Sequence, residues 1–124
     1  MLSSSDLVGF VPATDLDRAR QFYEGVLGLP VLDANPFALV IDAHGTQVRV
    51  TQVPDLQPQP FTVLGWQVAD IDAAVDDLVA RGVSFTIYDG MPQDDRGIWT
   101  TPGGEKVAWF KDPDGNTLSI SWHA

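Results

Sequence analysis

The segments Asp15–Leu27 (DLDRARQFYEGVL) and Asp70–Arg81 (DIDAAVDDLVAR) are two copies of one pattern set 55 residues apart, and that repetition limits the folds open to the chain. In the first copy Leu16, Ala19, Phe22, Tyr23, Val26 and Leu27 fall on one helical face, with Thr14 or Asp15 placed to cap the helix and Gly28 to end it. In the second, Ile71, Ala74, Val75, Leu78 and Val79 do the same between Asp70 and Gly82. Each predicted helix follows a short apolar strand, LVGFV or TVLGWQV, and precedes segments rich in strand formers. After the first helix these are LPVLD, PFALVID and TQVRVTQV, separated by the turn signals Asn35-Pro36 and His44-Gly45. After the second they are VSFTIYD, GIWTT, KVAWFK and TLSISW, interrupted by Pro102-Gly103-Gly104 and Asp112-Pro113-Asp114-Gly115. A single module of this size would leave an apolar sheet face bare, whereas two can cover it. The expectation is an α+β fold: two βαβββ modules forming a curved mixed sheet, a single domain over residues 1–124. Module one covers about 6–53, the extended PDLQPQP connection about 54–60 and module two about 61–123.

A chain of 124 residues, 44% hydrophobic and with twelve aromatics among its six Phe, four Trp and two Tyr, has enough apolar surface for a core. Its formal net charge of −10 repels phosphate backbones and anionic membrane surfaces, so neither nucleic acid nor membrane is an expected partner. Cysteine is absent, which removes disulfides and thiolate chemistry and fits a reducing compartment; the cytoplasm is the expected location. The opening Met-Leu-Ser-Ser-Ser-Asp lacks the basic start and apolar run of a signal peptide. No apolar stretch approaches the roughly eighteen residues of a membrane span.

The duplicated module, the D-L-x-x-A-x-x-F-Y pattern at Asp15–Tyr23, the second Asp70-Ile71-Asp72 helix with Gly82-Val83, and the run Ala108-Trp109-Phe110-Lys111-Asp112-Pro113-Asp114-Gly115-Asn116 closely resemble the vicinal oxygen chelate superfamily. That superfamily includes glyoxalase I, extradiol dioxygenases, fosfomycin resistance enzymes and bleomycin resistance proteins. The resemblance implies the fold above, and leaves the activity open because the architecture hosts several reactions and also proteins that only bind ligands. In metal-dependent members the ion is held from the inner sheet face by His or Gln, Glu or His, His, and Glu. The resemblance maps those positions onto Val8, Arg49, Leu64 and Ser119, none of which is a ligand for a divalent cation. Their neighbours Gly9, Val48, Val50, Gly65 and Leu118 are no better, so a register error does not rescue the site. No metal and no other cofactor is expected.

The carboxylates of FKDPDGNTLSIS have a local explanation: Asp114-Gly115 or Gly115-Asn116 makes a hairpin and Pro113 presets a dihedral, so Asp112 and Asp114 read as surface turn residues. His44 falls in a turn and His123 is penultimate, which takes both histidines out of strand interiors. Glu24 reads as solvated and Glu105 follows a Gly-Gly turn, while Asp72, Asp76 and Asp77 fall on the outer face of the second helix. Strand alternation leaves Val8, Phe10, Gln47, Arg49, Thr51, Leu64, Trp66, Ser119 and Ser121 as the expected ligand-binding inner face, closed by Phe37, Tyr88 and Trp99. That lining is apolar and aromatic with a few polar handles, the usual makeup of a small-molecule pocket, although Phe10, Phe37 and Trp66 can equally fill a core. Arg49 needs an anionic or carbonyl partner, and an aspartate of the chain is expected ahead of a ligand group.

Two functions follow as expectations. The first is a metal-free protein of the bleomycin resistance type that binds an aromatic or planar small molecule in the sheet cleft and works as a homodimer. The second is a lyase, isomerase or dioxygenase-like enzyme with a non-standard or metal-free site, in which Arg49 stabilises an enolate or carboxylate and Tyr88 or an aspartate moves the proton.

Overall fold

The computed structural model describes residues 1–124 and divides them into two compact units, Met1–Gln57 and Pro58–Ala124. In the first unit β1 (Val8–Ala13) leads into α1 (Leu16–Arg20), which continues as π-helical turns over Gln21–Val26. Three further strands follow: β2 (Val31–Ala34), β3 (Ala38–Ala43) and β4 (Thr46–Gln52). The second unit repeats the sequence of events with β5 (Thr62–Gln67), α2 (Ile71–Ala80), β6 (Trp99–Thr100), β7 (Lys106–Lys111) and β8 (Thr117–Trp122). Each unit is a mixed four-stranded sheet. The orders are β1-β4-β3-β2 and β5-β8-β7-β6, with the first and last strands of each unit parallel and the remaining pairs antiparallel. The chain therefore adopts the expected α+β fold of two βαβββ modules.

The helices begin where their aspartates are. Asp15 accepts from the Arg18 N–H and Asp70 from the Ala73 N–H, both at 3.1 Å, so one orphan donor of each first turn is satisfied by the same residue type. Gly28 and Gly82 end the two helical segments with positive φ, which a side chain would resist. The β3–β4 hairpin turns on His44 and Gly45, both at positive φ, with the Gly45 N–H donating to Asp42 Oδ1. That is the turn pair whose twist matches a tight hairpin.

Alternation gives each sheet one closely packed face, while the inner strands β3 and β8 are buried on both faces over Ala38–Ile41 and Thr117–Ile120. In unit one Val11, Ala13, Leu39, Ile41, Val48 and Val50 are buried, as are Ala19 of α1 and Tyr23 of the π-helical turns. In unit two the buried face is Ala108, Phe110, Leu118 and Ile120; α2 packs on β8 and buries Ile71 and Val75. Phe85 and Trp66 add rings to Phe110, edge-on at 5.6 Å and stacked at 6.5 Å.

Two expectations change. VSFTIYD is not a strand: only Phe85 bridges, to Phe110, and Thr86 donates to the Trp109 carbonyl. Beyond that, the Gln93 amide takes over the role of a neighbouring strand, accepting from Tyr88 N–H and donating to the carbonyls of Thr86 and Gly97. Asp112, expected at the surface, is 6% exposed. Its carboxylate accepts from the N–H groups of Asp114 and Asn116 and from Asn116 Nδ2, so it holds the turn together from inside.

Candidate functional site

A cleft of about 490 Å³ opens in unit two between the 88–92 turn, the segment before β5 and the sheet face opposite α2. Trp109 on β7 and Trp99 on β6 point to this face because Trp99 pairs with Val107, two residues from Trp109. Their rings stack with centroids 6.1 Å apart and 23° between planes. Tyr88 meets Trp109 edge-on at 5.6 Å and 83°, which fixes a corner of three rings. Phe61 stands exposed at the rim, Met91 and Pro92 close the side, and Thr117 lies at the floor.

The turn that carries Tyr88 is built by the chain's own chemistry. The Met91 N–H donates to the Tyr88 carbonyl, Gly90 takes a φ of 79° in the middle, and Asp89 is exposed on the cleft wall. Asp89 is the only charged side chain in the lining, and its carboxylate has no hydrogen bond or ion pair. At the floor, Lys111 Nζ donates to Thr117 Oγ1 at 3.0 Å.

The expected inner-face residues divide. Tyr88 and Trp99 line this cleft, and Ser119 and Ser121 lie on the same sheet face, Ser119 opposite Trp109 and Ser121 opposite Val107. Leu64 and Trp66 do not join them. A β-bulge lets β5 advance from Thr62 to Leu64 while β8 advances only from Thr117 to Leu118, so Leu64 and Trp66 share the face of Leu118 and Ile120. Gly65 stands beside Ser119 instead, so close that a β-carbon there would lie 2.8 Å from Ser119 Oγ.

In unit one, Val8, Phe10, Gln47, Arg49 and Thr51 do share one face, since Val8 pairs with Gln47 and Phe10 with Arg49. Phe10 is 65% exposed and Phe37, on the β2–β3 turn, 78% exposed, so neither fills the core. The expected aspartate partner of Arg49 is absent: the guanidinium makes no ion pair with any carboxylate of the chain. Phe61, Asp89, Met91 and Trp109 enter the site although alternation did not select them. The Asp89-Gly90 turn signal is the feature that marks the first wall, and the cross-strand position of Trp109 the second.

The positions that the family resemblance assigns to metal ligands carry Val8, Arg49, Leu64 and Ser119, and the bulge sets Gly65 rather than Leu64 beside Ser119. Hydrocarbon, guanidinium and hydroxyl groups do not fit a divalent cation, and no three His, Asp, Glu or Cys side chains cluster elsewhere.

The sequence model of the Glyoxalase/Bleomycin resistance protein/Dioxygenase superfamily matches residues 7–120. The chain belongs to that superfamily. Solved structures bear the superfamily fold out along the whole length. A superfamily member from Sphaerobacter thermophilus is 25% identical with a TM-score of 0.73, covering 99% of this chain and 100% of that one. TnmS3, an antibiotic binding protein from a Streptomyces species, is 24% identical with a TM-score of 0.73, covering 100% and 99%. A lactoylglutathione lyase from Agrobacterium tumefaciens is 18% identical with a TM-score of 0.70, covering 96% and 93%. No curated protein matches. No helix is long and apolar enough to cross a membrane.

Proposed function

We propose that this superfamily member is a metal-free, cytoplasmic small-molecule-binding protein that holds a planar or aromatic ligand in the cleft of unit two and acts as a homodimer. The observation that carries the reading is the stacked Trp99–Trp109 pair with Tyr88 edge-on to it, in a cleft of about 490 Å³. Offset and edge-on rings are the surfaces on which a flat ligand gains most, and the volume is that of a drug-sized pocket. The lack of imidazole or carboxylate at the ligand positions supports binding without a metal. The antibiotic binding of the similar TnmS3 is consistent with this use of the fold.

Titration of tryptophan fluorescence with planar aromatic antibiotics and metabolites should give saturable quenching in the wild type. Trp109→Ala should weaken the tightest of them by roughly tenfold or more, the worth of a desolvated aromatic contact. A flat response across the panel defeats the reading. One observation favours an enzyme instead: Arg49, unpaired by any carboxylate, keeps its charge for an enolate or carboxylate. Stoichiometric Ni, Zn, Mn or Fe in protein purified without chelators would favour a metal-dependent form of that alternative.

A further inference from the structure

We infer that the ligand of the unit-two cleft is a flat organic cation, recognised by the faces of Trp99 and Trp109 together with the carboxylate of Asp89. This rests on the cleft being the binding site. A cation is attracted to the electron-rich face of an aromatic ring, most strongly to indole, and the gain grows as water is excluded. The cleft offers two indoles and a phenol that brace one another, so little ordering is needed when a ligand arrives. Asp89 supplies the opposite charge. Three exposed carboxylates of unit two are occupied by cations: Asp72 and Asp76 hold Arg96, and Asp77 holds Arg81. Asp89 has no such partner, and the 88–92 turn carries it on the cleft wall next to Tyr88.

Lys111 is the one cation bonded to the lining, and it opposes this assignment. It is exposed, and one of its three protons is committed to the Thr117 hydroxyl on the floor, so it repels a positive group there and directs the charged part of the ligand toward Asp89. An anionic ligand could meet Lys111 at the floor but would leave the Asp89 carboxylate uncompensated on the wall.

Calorimetric titration with two tricyclic probes tests this: proflavine, a flat cation, and anthraquinone-2-sulfonate, a flat anion. At physiological salt, charges beyond about 8 Å are largely screened, so the net charge of the chain does not decide the result. Proflavine should bind at least about tenfold tighter than the sulfonate. Asp89→Asn should weaken proflavine by roughly tenfold and leave or improve the sulfonate, while Asp77→Asn, on the helix covering the opposite sheet face, removes the same charge and should leave both unchanged. Trp109→Ala should weaken proflavine as well. Equal binding of the two probes through Trp109, or proflavine binding indifferent to Asp89, overturns the cation assignment and leaves the binding site intact. Failure of both probes to bind, or binding indifferent to Trp109, overturns the site and the assignment together.

Discussion

Asp112 is the acceptor on which the β7–β8 turn depends, because three N–H groups of Asp114 and Asn116 converge on its buried carboxylate. Replacing it with alanine leaves those donors without a partner away from water, a cost of about 2–3 kcal/mol. Urea unfolding of Asp112→Ala should show that loss, and Asp112→Asn, which keeps one acceptor oxygen, should recover part of it. A variant as stable as the wild type would make the hydrogen bonds incidental. The same residue marks a limit of sequence reading. DPDG identifies a turn through its local chemistry, but whether the first aspartate faces water or the interior depends on what lies over it, and Thr117 and Leu118 are buried beside it.

At the scale of elements, the bulge in β5 decides which side chains can meet a ligand. The strand reads TVLGWQ, and strict alternation joins Leu64 and Trp66 to Ser119 and Ser121; one extra residue sends both to the Phe110 side and brings Gly65 to the open face. No residue type announces that insertion, since neither Val63 nor Leu64 takes the positive φ that would call for glycine. β1 has no bulge, and there Val8 and Phe10 fall with Gln47 and Arg49 as alternation requires. Capping aspartates, helix-ending glycines and the duplicated order were all legible because they are local signals repeated twice. The VSFTIYD segment was not, because a side chain 5 to 7 residues away, Gln93, satisfies its backbone. The close approach of β5 and β8 gives a test of the bulge. Gly65→Ala puts a methyl group against Ser119 Oγ and should cost about 1–3 kcal/mol, the range for overpacking. In a Ser119→Ala background most of that cost should vanish, and a double-mutant cycle with no coupling would contradict the pairing of these two residues.

For the whole molecule, charge and exposed apolar surface pull in opposite directions. A formal charge of −10 on 13.5 kDa keeps like chains apart at long range, yet Leu7, Val8 and Phe10 at the start of β1 and Phe37 on the β2–β3 turn present bare hydrocarbon and aromatic carbon. Exposed apolar groups on one unit suit an interface, and we propose a second copy as the partner, because screening at physiological salt removes most of the repulsion while hydrophobic contact persists. A stable dimer needs roughly 800 Å² from each partner. Sedimentation equilibrium at physiological salt should therefore give twice the chain mass of 13.5 kDa, and dissociation should increase as salt is lowered, the reverse of an association held by ion pairs. Phe10→Lys places a second cation beside Arg49, its cross-strand neighbour, and should shift the protein toward monomer without unfolding it, since Phe10 contributes little to the core. A wild type that stays monomeric at tens of micromolar, or a Phe10→Lys dimer as tight as the wild type, would assign that apolar surface another role.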